Sequence, residues 1–170
     1  IAFYEWNKMN KNIFYKIFGL IFLIFSFYSF YKLSSEIFLL IFVILICIST
    51  DIGGYIFGKL FKGPKITTIS PNKTYAGMIG GYILSIICLY IILSLINYKG
   101  TLIQLFTITI LLSSVSQGGD IIISFFKRKA EVKNTGFLIP GHGGLLDRID
   151  GMIFAVPTLY MIELIGFLNI

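Results

Sequence analysis

Five apolar runs constrain this chain more than anything else in it. They cover residues 13–31, 36–57, 77–98, 102–126 and 152–168. A helix that crosses hydrocarbon needs about 20 residues, so each run is long enough, the last only just. The runs are continuous and do not alternate over ten residues, which favours helices over a β-barrel. The chain is 56% hydrophobic and 13% charged, where soluble domains carry about 25% charged residues. The expected fold is an all-α integral membrane protein with about five transmembrane helices. No internal repeat or linker interrupts it, so residues 1–170 read as one transmembrane domain. Cys47 and Cys88 lie inside apolar runs and read as small core residues.

The basic residues predict the orientation. Counting five alternating helices from an inside N-terminus puts Lys8, Lys11, Lys16, Lys59, Lys62, Lys65, Lys73, Lys127, Arg128, Lys129, Lys133 and Arg148 on one side, and only Lys32 and Lys99 on the other. Lys and Arg mark the cytoplasmic side of membrane proteins. The two polar segments, residues 59–75 and 127–151, are therefore expected to form a site at the cytoplasmic membrane face. The net charge of +6 is explained by this bias and by anionic headgroups, so nucleic acid is not invoked.

Acids near the apolar runs need a reason, because an Asp at a helix centre costs about 2.5–3.5 kcal/mol on insertion. Asp51 follows an uncharged run, and Asp120 sits in GGDIIISFFKRK. Both are expected to face a polar cavity or the rim. Asp120, Ser124 and Lys127 fall at i, i+4 and i+7, one helix face. The bland alternative is a helix end with snorkelling lysines. Asp147 and Asp150 lie one turn apart if a helix begins near Leu145, and two such carboxylates suit a divalent cation such as Mg²⁺. They also suit a helix dipole, which is the structural alternative.

Gly141, Gly143 and Gly144 permit positive φ, so their N–H groups are candidates for an anion-binding nest. His142 between them is a candidate phosphate ligand or proton donor. In ISPNKTYAGMIGG, residues 69–81, Ser70, Lys73 and Thr74 are candidates for meeting phosphate at a helix start. The pattern is not a Walker A loop.

With these residues in view, SFFKRKAEVKNTGFLIPGHGGLLDRID, residues 124–150, resembles the signature of the phosphatidate cytidylyltransferases, or CDP-diacylglycerol synthases. The block TDIGGYIFGKLFKG…ISPNKTYAGMIGG, residues 50–81, is similar to a second family element. The likeness runs from about Ser49, with the signature region over 49–151. Three positions depart from the pattern: Asn134 replaces an aspartate, Gly54 an alanine and Ala76 a glutamate. The resemblance implies transfer of a cytidylyl group from CTP to phosphatidate, giving CDP-diacylglycerol and pyrophosphate, in a bacterial-type inner membrane. It implies Mg²⁺, leaves a second metal ion open, and suggests a homodimer and N-terminal helices preceding those of this chain.

On that reading Asp120 and Asp147 hold Mg²⁺, and Asp150 assists directly or from behind them. Lys127, Arg128 and Arg148 bind phosphates, and Ser124 supports a metal-bound phosphate or the nucleotide. Ser70, Lys73 and Thr74 close the substrate site, with Gly143, Gly144 and His142 beside it. Two other readings stand next to this one: an ion-pathway transporter built on Asp51 and Asp120, and a catalytically silent relative, given Asn134 and Ala76. The D-G-x-x-A-R…G-x-x-x-D-x-x-x-D pattern of the CDP-alcohol phosphotransferases is absent.

Overall fold

The structure, a computed structural model, describes residues 1–70, 72–95, 101–136 and 143–167. Helices dominate: α1 (Ala2–Met9), α2 (Ile13–Leu33), α3 (Ile37–Phe61), α4 (Tyr75–Leu95), α5 (Leu102–Lys129), α6 (Leu146–Ile149) and α7 (Met152–Leu164). Four of them, α2 to α5, are long and apolar enough to cross a membrane, and α7 is a shorter apolar helix. The expected all-α membrane fold is observed. The fifth expected run is cut to 13 residues, and α1 is a helix that the apolar runs did not announce.

The core forms where α3, α4, α5 and α7 meet, around Phe42, Ile46, Leu105, Leu112 and Leu159. Outward residues such as Ile17, Phe18, Ile21, Tyr90 and Ile91 are exposed apolar side chains, which a bilayer would cover. The α3–α4 contact is built on glycine. A Cβ on Gly53 would come within 2.8 Å of the Gly80 carbonyl carbon, and one on Gly77 within 2.7 Å of the Gly54 oxygen. Small residues of this kind let two helix backbones touch. That contact draws Asp51 of α3 toward the loop that opens α4.

Helix α7 contains Pro157. Proline lacks an N–H, so it cannot bond the carbonyl four residues back. That carbonyl, on Ile153, instead accepts the Ser26 hydroxyl of α2 at 2.9 Å. The helix is thereby kept, with α2 and α7 locked at one point.

Three regions gather at one end: α1, the described part of the α3–α4 loop, and residues 130–136 with 143–149. The Arg128 side chain donates to the Ile69 carbonyl at 3.4 Å, tying α5 to the α3–α4 loop. Glu5 of α1 accepts the Leu145 amide at 2.9 Å.

Candidate active site

The α3–α4 loop leaves α3 through Lys62 and Gly63, both at positive φ. It then doubles back, with the Ile66 amide donating to the Lys73 carbonyl at 2.9 Å and an antiparallel bridge from Lys65 to Thr74. Thr74 Oγ1 accepts the Gly77 amide at 3.1 Å. A side-chain oxygen three residues before the amide it accepts is the usual way to cap a helix start. This turn aims Lys73 across the bundle.

A cavity of about 430 Å³ opens between this loop, the C-terminal halves of α3 and α5, and α6. Ser70, Asn72, Lys73 and Thr74 line one wall. Asp51, Gln117, Asp120, Asp147 and Asp150 line the others. Asp51 faces the cavity as expected. Lys73 Nζ reaches Asp120 Oδ2 at 2.6 Å as an ion pair. An ammonium carries three N–H donors, so the pair with Asp120 leaves others for an anion. The Ser124 hydroxyl stands 3.4 Å from Asp120 Oδ1.

Asp147 and Asp150 differ sharply. Asp147 Oδ2 accepts the Thr135 amide at 2.8 Å, the Gly144 amide at 3.0 Å and sits 3.1 Å from the Thr135 hydroxyl. Its Oδ1 takes the Lys127 ammonium at 2.9 Å. Burial would raise this carboxyl's pKa, but the bond from Lys127 and the two amides outweigh it and hold the group below the usual carboxylate range. Among the described residues Asp150 has one such bond, from the Gly151 amide at 2.9 Å. Burial first, then the neighbouring Asp120 carboxylate, pushes its pKa up to about 8.

The structure brings Ser70, Lys73, Thr74, Asp120, Asp147 and Asp150 to one cavity. Lys127 stands behind Asp147, and Arg128 and Arg148 are exposed outside the lining. Gly143 takes φ of 85°, a conformation glycine adopts freely. Gly144 donates its amide to Asp147 Oδ2 at 3.0 Å. His142 and Gly141 lie outside the described residues. Asn72, Gln117 and Thr50 line the cavity without a sequence signal having marked them.

Among the described residues no three His, Cys, Asp or Glu side chains converge into a ready metal shell. The donor chemistry nonetheless fits Mg²⁺, which is usually held by one or two carboxylates together with substrate phosphates. Asp120 and Asp150 face one cavity and repel each other, and a divalent cation relieves such repulsion.

Helices long enough to span a bilayer, with a cavity of acids and a lysine at one end, define a membrane protein with a site for charged groups. Its family is shown by comparison: residues 2–165 match the cytidylyltransferase family, and the chain belongs to it. A phosphatidate cytidylyltransferase of Staphylococcus saprophyticus is 42% identical over 127 residues, 74% of this chain and 49% of that protein. The Staphylococcus aureus counterpart is 39% identical with the same coverage. One from Rickettsia typhi is 37% identical over 94% of this chain and 75% of its own length. The chain thus spans about half the length of the staphylococcal relatives it matches.

Proposed function

We propose that this chain transfers a cytidylyl group from CTP to phosphatidate, releasing pyrophosphate and forming CDP-diacylglycerol. A phosphate oxygen of phosphatidate attacks the α-phosphorus of CTP, and the bond to the bridging oxygen of the β-phosphate breaks. The attacking oxygen is ionised at neutral pH, so no strong base is required. The difficulty is to bring two polyanions together. The observation that carries the reading is the cavity itself, where Lys73, paired with Asp120, stands among four carboxylates at the polar end of an apolar bundle. The names of the relatives point the same way.

Lys73 would meet the triphosphate, with Ser70 and Thr74 beside it. Asp120 and Asp150 would hold Mg²⁺, with Asp147 beside them at the same cavity. When bound, the cation neutralises phosphate charge and stabilises the departing pyrophosphate. Lys127, Arg128 and Arg148 supply further positive charge at the cavity and its rim, and Ser124 steadies Asp120. The cytoplasmic placement follows from the basic residues gathered at the cavity end, where CTP is found. Acyl chains of phosphatidate would lie along the exposed apolar faces of the bundle.

The test is pyrophosphate release by the purified chain with CTP and Mg²⁺, with and without phosphatidate. Release that requires phosphatidate supports the reading. Ion flux through proteoliposomes with no CTP consumed would favour the transporter instead.

A further inference from the structure

The proposed chemistry leaves one buried acid unused. Glu5 is 3% exposed and does not line the cavity. Charged side chains are almost never so deeply buried unless something pairs with them. Here the partners are donors from the far end of the chain. Glu5 Oε1 accepts the Leu145 amide at 2.9 Å, and Oε2 accepts the Leu146 amide at 2.8 Å and the Thr135 hydroxyl at 2.9 Å. Helix α6 has no capping side chain of its own. A carboxylate from α1 therefore does for it what a local cap does for other helices.

The Thr135 hydroxyl lies between two carboxylates, 2.9 Å from Glu5 Oε2 and 3.1 Å from Asp147 Oδ2. A hydroxyl has one hydrogen, so it donates to one of them at a time. The backbone of Thr135 and of Gly144 holds Asp147 directly. The chain is also shaped around Glu5: a Cβ on Gly136 would lie 2.7 Å from Oε1, and one on Gly144 2.6 Å from Oε2. Neither glycine could carry a side chain without moving the acid.

We infer that Glu5 is a positioning residue. It fixes Thr135 and the turn into α6 so that the Thr135 and Gly144 N–H groups hold Asp147, and Asp147 in turn holds Lys127 behind the cavity. The activity arm of the test rests on the proposed cytidylyl transfer. The labelling arm does not.

Glu5→Gln keeps the size but turns one acceptor into a donor, so the two α6 amides and Thr135 can no longer all be served. Thr135→Val removes only the hydroxyl link and leaves the amide bonds to Glu5 intact. Both full-length variants are treated with an amine-acylating reagent, and labelling at Lys127 is read by mass spectrometry against Lys32. Lys127 labelling is expected to rise severalfold in Glu5→Gln and less in Thr135→Val, with Lys32 unchanged. In the same preparations kcat should fall on the order of tenfold to a hundredfold for Glu5→Gln, with KM for CTP moving much less. Folded Glu5→Gln protein with wild-type Lys127 labelling overturns the inference. If Glu5→Gln does not fold, unchanged labelling in Thr135→Val overturns it alone. A wild-type chain that transfers nothing, with Lys127 labelling raised in the variants, sinks the transferase reading and leaves the role of Glu5 standing.

Discussion

Asp147 and Asp150 stand three residues apart, yet they belong to two different kinds of region. Asp147 sits in a clamp where donors are abundant: two amides, a hydroxyl and an ammonium surround one carboxylate. Asp150 sits in a cavity where acids outnumber cations, together with Asp51 and Asp120 and across from Lys73. The clamp is electrostatically complete within the protein. Among the described residues the cavity is not, and its excess of negative charge is what a divalent cation would offset. Asp147 lines the same cavity, but its oxygens are already engaged by the protein, whereas Asp150 has fewer partners there.

That contrast is broken most directly by removing charge from the cavity. Asp120→Asn should lower transfer on the order of 10²- to 10³-fold, the usual loss for a group stabilising a transition state, with thermal stability nearly unchanged. A normal rate in that variant would show that the cavity acids are ornamental. Lys73→Ala should mainly raise KM for CTP, by about tenfold to a hundredfold for a lost charged hydrogen bond. A change in kcat with KM untouched would place Lys73 away from the nucleotide.

The clamp should respond in stability and with a definite pH dependence. The folded pKa of Asp147 lies below its unfolded value. The stabilisation it provides is therefore full above an unfolded pKa of about 3.9 and is lost as pH falls through the lower folded value. The melting difference between wild type and Asp147→Asn should be constant near neutrality and shrink only below about pH 4. A difference that grows on acidification would mean that the carboxyl is not ionised in the fold. Asp147→Asn should also depress transfer, since Lys127 loses its acceptor. Farther from both regions, Ser26→Ala strands the Ile153 carbonyl and should cost about 1–3 kcal/mol of stability. The rate per folded molecule should not change, and a rate loss would couple α7 to the site unexpectedly.

The fold and the cavity were largely legible in the sequence, because both rest on local signals. Long apolar runs predict spanning helices, and Asp51, Asp120, Asp147 and Asp150 are conspicuous against them. The clustering of basic residues foretold that both polar segments share one end. The clamp was not legible, since its donors are backbone amides and its partners are remote. Glu5 and Leu146 are 141 residues apart, and no spacing rule links them. One signal was present nevertheless. Ala2, Glu5, Trp6 and Met9 are the buried residues of α1 and fall at i, i+3, i+4 and i+7, so an acid occupies a core position of an amphipathic helix. The Asp147 environment escaped for the same reason. Two acids a turn apart look alike in sequence, and only the fold separates the one that is sated from the one that is not.

The most direct measurement is transfer itself. Purified protein is given CTP labelled at the α-phosphate, phosphatidate and Mg²⁺, and the lipids are extracted. Label is expected in CDP-diacylglycerol, dependent on phosphatidate and stopped by EDTA. Folded protein that leaves all label in the aqueous phase would contradict it.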